Sequence, residues 1–236
     1  DNELLQFFLR AAPGTYQHSL QVSNLAEQAA ESIGADALLV RVGALYHDIG
    51  KAKNPLFFIE NQTQGNLNTH EDLAPEDSAA FIIRHVTDGV ELAKKYRLPS
   101  RIIDFILEHH GTNITRYQYA QAVKDADGDH GKVDMEHFRY PGPAPRSRET
   151  ALLMLADGTE AFSRAKRPQS ETELREIVQK VIDASQQNGQ LHNTKLTLRD
   201  LKLVTDSFVS TLQGTLHPRV EYPSASGGVP TRPRSK

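Results

Sequence analysis

The amino-acid sequence predicts an all-α protein, on three observations. Apolar residues recur at helical spacing through most of the chain. No segment sustains a period-two alternation bounded by turn residues, the mark of strands. Start and stop signals (Pro, Ser, Thr or Asp at one end, Gly at the other) bracket the periodic stretches.

A short amphipathic helix is expected over about 2–11. Pro13-Gly14-Thr15 breaks the chain, and Thr15 is placed to cap the next helix, which runs to about Ile33 and stops at Gly34. Its core stripe is His18, Val22, Leu25, Ala29 and Ile33. Asp36 caps a third helix, Ala37 to about Ile49, ending at Gly50. A loop follows to Pro75, where Pro75-Glu76-Asp77 makes a good first turn: proline loses no bonded N–H there, and the acids face the positive dipole end. Thr87-Asp88-Gly89 is expected to break that helix before 89–97. Pro99-Ser100 starts another that ends at His109-His110-Gly111. Further helices are expected at about 114–126, 148–165, 170–187 and 197–212, with a Gly/Pro-rich excursion over 127–147.

Residues 1–223 read as one domain, since no repeat or Pro/Gly linker divides them. Residues 224–236 are small, polar and Pro/Gly-rich, and are expected to form a disordered tail. The chain opens on Asp1 without Met, which suggests an excised piece, and no apolar run reaches the length of a membrane span. The net charge of −3 gives no basic field for a nucleic-acid polymer. The lack of Cys removes disulfides, thiolate zinc sites and Cys nucleophiles. No P-loop, G-x-G-x-x-G, G-x-S-x-G or H-E-x-x-H is present; His70-Glu71 fails the last because position 74 is Ala74.

Five of the ten histidines carry the chemistry; His70, His130, His137, His192 and His217 fall in loops or near helix ends and carry no such argument. His47-Asp48 closes the apolar run Leu38 to Tyr46 of the third helix, and a polar pair there is costly to bury unless bonded or ligated. It also reads as a cation at a helix C-terminus beside a capping acid. His18 and His85 lie on the buried stripes of two other helices, where each alone could be a satisfied core histidine. His109 and His110 differ by about 100° on a helix, so both reach one point only near its end. Asp157 follows Ala151-Leu-Leu-Met-Leu-Ala156 with no Lys or Arg three or four residues on. An unpaired carboxylate on such a face calls for a partner. Four helices thus present His or Asp on an apolar face, and a fifth ends in His-His. Imidazole and carboxylate donors without thiolate suit Fe, Mn, Zn or Ni, and one bridging Asp could serve two metals.

The order His18, His47-Asp48, Asp157 resembles the HD superfamily of metal-dependent phosphohydrolases. His85 and His109-His110 resemble its two-metal phosphodiesterase branch. Longer stretches are similar to the cytoplasmic domain of the seven-transmembrane HD-domain cyclic di-AMP phosphodiesterases: Gly14-Thr-Tyr-Gln-His-Ser19, Leu39 through Lys51, Phe58-Ile-Glu-Asn-Gln62, His85 through Ala93, Glu108-His-His-Gly-Thr112, Phe138-Arg-Tyr-Pro-Gly-Pro143 and Leu155-Ala-Asp157. Together they span about 13–223. The chain departs from the family pattern around Asn68 to Leu73, which bears on loop geometry and on His70. It also lacks the Gly-Tyr-Pro that follows the paired histidines in the cyclic di-GMP branch; here Gly111-Thr-Asn-Ile-Thr115 follows.

The resemblance implies an HD-domain helical bundle with a dinuclear site. One metal would be held by His18, His47, Asp48 and Asp157, the second by Asp48, His85, His109 and His110, with Asp48 bridging. The implied reaction is hydrolysis of cyclic di-AMP to linear 5′-pApA, by a metal-activated hydroxide attacking phosphorus in line with the ribose 3′ oxygen. Two divalent transition metals, Fe or Mn foremost, are the expected cofactors. The implied setting is the cytoplasmic side of a membrane-anchored parent. Asp48 and Lys51 are the catalytic candidates. Lys51 is a candidate phosphate contact, or else a cation for the helix dipole. Arg139, Tyr140 and Tyr117 are candidate substrate contacts, although the first two also fit a packed loop. The competing expectations are an HD phosphohydrolase acting on another nucleotide, a signalling domain that binds nucleotide without cleaving it, and an all-α interaction domain with coincidental histidines.

Overall fold

A computed structural model describes residues 3–62 and 69–216. The expected tail over 224–236, the domain end at 223 and the divergent Asn68 lie outside them. Nine α-helices form among the described residues, where β pairing is limited to one isolated bridge, Ile114 with Arg139. None of the helices is long and apolar enough to cross a membrane.

Helix α1 (Glu3–Ala11) buries Leu4 and Phe8. They enter a core with Ile49, Ala52, Ile102 and Ile106. Helix α2 (Pro13–Ser32) starts on Pro13, with Ala12 in the cap position. Thr15 is therefore not the cap. It lies inside the first turn, fully buried, and its hydroxyl donates to Glu60 Oε1 at 3.0 Å. Gly34 ends α2 in the left-handed conformation (φ +65°), as its position predicts. Helix α3 (Ala37–Tyr46) is capped by Asp36, whose side chain accepts from the Leu39 N–H. It stops earlier than the period suggests, and residues Ile49–Lys53 wind into a tighter 3-10 turn.

Helix α4 (Pro75–Lys95) is unbroken, contrary to the break expected at Thr87-Asp88-Gly89. Gly89 is a packing residue: a Cβ there would lie 2.9 Å from Ile106 Cγ2 and 3.3 Å from the Gly50 nitrogen. Gly50 is tighter still, since a Cβ on it would fall 1.8 Å from the His85 carbonyl oxygen. The two glycines let the turn after Asp48 lie directly on α4. Helix α5 (Ser100–Glu108) ends just before the paired histidines, and α6 (Arg116–Asp125) follows.

Helix α7 (Arg148–Lys166) opens with a capping box between Ser147 and Thr150. All six residues from Ala151 to Ala156 are buried, so the helix runs through the middle of the bundle rather than along its surface. Helices α8 (Glu171–Gln187) and α9 (Leu198–Leu216) close the main core, in which Leu152, Leu153 and Leu155 meet Val22, Leu25, Phe105, Val178 and Phe208.

Candidate metal centre

All seven residues singled out by the sequence reach one buried region. Two groups have ligand atoms lying within 4.8 Å of one another: His18, His47 and Asp157, and Asp48, His85, His109 and His110. Asp48 stands between them. Its Oδ1 is 3.3 Å from His85 Nε2 and 3.5 Å from His109 Nε2. Its Oδ2 is 3.3 Å from His47 Nε2 and 3.8 Å from His18 Nε2. Asp157 enters from α7, with Oδ1 3.0 Å from His18 Nε2 and 3.8 Å from His47 Nε2. Asp157 Oδ2 is 3.9 Å from His110 Nδ1.

The backbone sets the orientation of three imidazoles. His47 Nδ1 donates to the Ala44 carbonyl at 2.6 Å, His85 Nδ1 to Ile82 at 2.6 Å, and His109 Nδ1 to Ile106 at 2.8 Å. Each carbonyl is three residues back, so each ring is locked by its own helix. With the proton on Nδ1, the Nε2 lone pairs point inward. His85 Nε2 and His109 Nε2 then face each other at 3.0 Å as two acceptors. His47 Nε2 and Asp48 Oδ1 are buried without a hydrogen-bond partner. Convergent buried acceptors of this kind are costly by themselves. A divalent cation answers all of them at once, and nitrogen and oxygen donors suit transition metals.

The electrostatics follow from burial and charge. Burial works against the Asp48 carboxylate, but the Lys51 ammonium and His47 hold it well below the usual range. Lys51 Nζ is 2.7 Å from Asp48 Oδ2 and 3.1 Å from Glu60 Oε1, and these acids keep it firmly protonated against the cost of burial. Burial likewise opposes Asp157, which the hydrogen bond and charge of His18 hold low. His18 is opposed by burial too, yet the bonds to Asp157 and Glu160 raise it to about 9. Burial, with no comparable partner, pushes His85 down to about 3. His110 is depressed by burial and by His109. Tyr140 stacks on His110 with ring centroids 4.2 Å apart, and burial raises its phenol.

Two candidate substrate contacts stand outside the cluster. Tyr117 is 77% exposed on α6. Arg139 donates to the Thr112 carbonyl and to Glu136, and lines a separate cavity of about 390 Å³ with Arg116, Asn188 and Gln190. Three carboxylates escaped sequence reasoning. Glu160 accepts from His18 Nδ1 at 2.6 Å; it lies three residues after Asp157 on a buried helix, a spacing that could have revealed it. Glu60 sits in a short turn with no periodic signal. It is latched to α2 by Thr15, and Gly14 makes room for its carbonyl, which a Cβ would approach to 1.8 Å. Glu108 accepts from Arg146 N, Arg146 Nε and Thr150 Oγ1, tying the end of α5 to the start of α7 beside His109.

A helical bundle that gathers His18 from α2, His47-Asp48 from the end of α3 and Asp157 from α7 at one buried point has the form of an HD domain. The family model described as "HD domain" matches residues 15–162, and the chain belongs to the HD-domain family. It is 39% identical over 226 residues to the cyclic-di-AMP phosphodiesterase PgpH of Bacillus subtilis, covering 96% of this chain and 31% of that protein. The same-named protein of Listeria monocytogenes is 41% identical over 223 residues, covering 94% and 30%. The chain thus spans about 30% of the length of these relatives. The crystal structure of the L. monocytogenes PgpH HD domain in complex with cyclic-di-AMP superposes with a TM-score of 0.86 at 39% identity, covering 93% of this chain and all of that one.

Proposed function

We propose that this domain is a phosphodiesterase that hydrolyses cyclic di-AMP to linear 5′-pApA. The observation that carries the proposal is Asp48: its two oxygens face two different groups of buried histidines. His18, His47, Asp48 and Asp157 would hold one divalent cation, and Asp48, His85, His109 and His110 a second, with iron or manganese preferred. When bound, such a pair supplies Lewis acidity toward phosphoryl oxygens and acidifies water to a nucleophile at neutral pH. The similarity to proteins named cyclic-di-AMP phosphodiesterases, and to one solved with that nucleotide, supports the substrate.

The chain's own residues supply position and charge. The carbonyl bonds from Ala44, Ile82 and Ile106 fix three imidazole planes before any ligand arrives, so no rotamer search accompanies binding. Lys51, buried and charged between Asp48 and Glu60, sits where a phosphoryl oxygen could take its third N–H. Tyr140 walls the His110 side of the cluster with an aromatic face. We further place the domain on the cytoplasmic side of a membrane-anchored parent, which fractionation of the full-length protein would check.

The test is incubation of anaerobically purified protein, loaded with Mn²⁺ or Fe²⁺, with cyclic di-AMP, cyclic di-GMP and AMP in parallel. Linear pApA formed from cyclic di-AMP in preference is the expected result. Tight binding without product over hours would make this a receptor domain instead.

A further inference from the structure

His18 differs from the other clustered histidines in what holds its outer nitrogen. His47, His85 and His109 each donate Nδ1–H to a neutral backbone carbonyl. His18 Nδ1 donates to the carboxylate of Glu160 at 2.6 Å, with both side chains buried. Glu160 and Asp157 lie one turn apart on α7, so that helix grips the imidazole at both nitrogens. A carboxylate partner fixes the ring, selects the tautomer with a free Nε2 lone pair and makes that nitrogen more basic than a carbonyl partner does.

The two halves of the cluster also differ in charge. The half containing His18 has Asp157 among its donors and Glu160 behind them. The other half has three imidazoles, and Asp48 is common to both. Its His110 is also the most open of the five histidines, with 26% of the side chain exposed. Lys51 beside Asp48 Oδ2 and Arg164, 3.7 Å from Glu160 Oε2, offset part of this negative charge. Asp157 is nonetheless a direct anionic donor in the half more shielded from water, so attraction for a divalent cation is greater on the His18 side.

We infer that Glu160 is a positioning residue that holds His18 as a metal ligand, and that through it the His18–His47–Asp157 side binds its cation more tightly than the His85–His109–His110 side. The inference rests on the two-cation reading proposed above.

Competition of the metal-free full chain against a fluorescent chelator for Mn²⁺ tests it. Wild type should take up two Mn²⁺ with unequal affinities. Glu160→Gln, nearly the same shape without the charge, should weaken the tighter step about 10–100-fold and leave the weaker one in place. Glu160→Asp should recover part of the loss. Unchanged affinities in both Glu160→Gln and Glu160→Ala would overturn the inference. Nitrogen NMR of wild type loaded with diamagnetic Zn²⁺ gives a check that needs no variant: His18 should carry its proton on Nδ1, and a proton on Nε2 would overturn the assignment. If wild type takes up no Mn²⁺ at all, the two-cation reading fails and takes this inference with it, a result distinct from a flat Glu160 series.

Discussion

Lys51 Nζ lies 2.7 Å from Asp48 Oδ2, the oxygen that faces His18 and His47. A lysine and a cation bound by that cluster would lean on the same carboxylate oxygen. Lys51→Met keeps an unbranched side chain of similar length but removes the ammonium, which lies 5.0 Å from the Phe58 ring centroid. In metal-free protein it strands a buried carboxylate, and a loss of about 3–5 kcal/mol is expected. Adding Mn²⁺ should recover much of that loss, because the cation takes over the neutralisation. Thermal unfolding with and without Mn²⁺ measures this, and an equal loss under both conditions would count against a shared oxygen.

Asp48→Ala removes the one donor common to both groups. Substitutions of residues that only support a ligand weaken metal binding or activity about 10–100-fold, so loss of the bridge should exceed about 100-fold in turnover. Metal content should fall below two per chain. Near wild-type hydrolysis with normal metal content would remove Asp48 from the centre.

Gly50→Ala should damage the site from outside it. The new Cβ would meet the His85 carbonyl oxygen at 1.8 Å, and backbone cannot swing aside as a side chain does. The 49–53 turn must lift from α4, separating Asp48 from His85. Overpacking of this kind costs about 1–3 kcal/mol, and uptake of the second cation should weaken with it. A variant that binds two Mn²⁺ as wild type does would show that the turn tolerates displacement.

The metal-free protein should lose stability at both pH extremes. His18 is raised from an unfolded 6.5 to about 9, so its contribution is complete below 6.5 and fades as pH climbs through 9. Asp157 is held low, so its contribution is present above the ordinary carboxylate value near 3.8 and fades on acidification below it. Cation binding needs an unprotonated His18 Nε2, so Mn²⁺ affinity should rise with pH up to about 9. Urea unfolding and Mn²⁺ titration across pH 4–9.5 would measure both, and a pH-independent affinity would exclude His18 as a ligand.

Much of the fold is legible in local sequence. Asp36, Gly34 and Pro75 act where short-range chemistry predicts, because a cap or a fixed φ is decided within one turn of chain. The His and Asp positions were legible because polar groups on apolar stripes demand a partner. The misread residues share one cause. Gly89 looks like a helix breaker and is a contact surface for Gly50 and Ile106. Thr15 looks like a cap and is a latch for Glu60. In each case the residue serves a partner distant in sequence, which no window of periodicity contains.

Local pattern therefore settled the helical class, most helix boundaries and the residue types able to hold a cation. Packing alone settled that Asp48 turns one oxygen to each group, that carbonyls lock three imidazoles, and that Glu160 and Glu60 stand behind the donors. Helix formation depends on neighbours three and four residues away. A metal centre depends on atoms from α2, α4 and α7 and from the residues just past α3 and α5 meeting within a few ångströms, and only the packing of those helices brings them there.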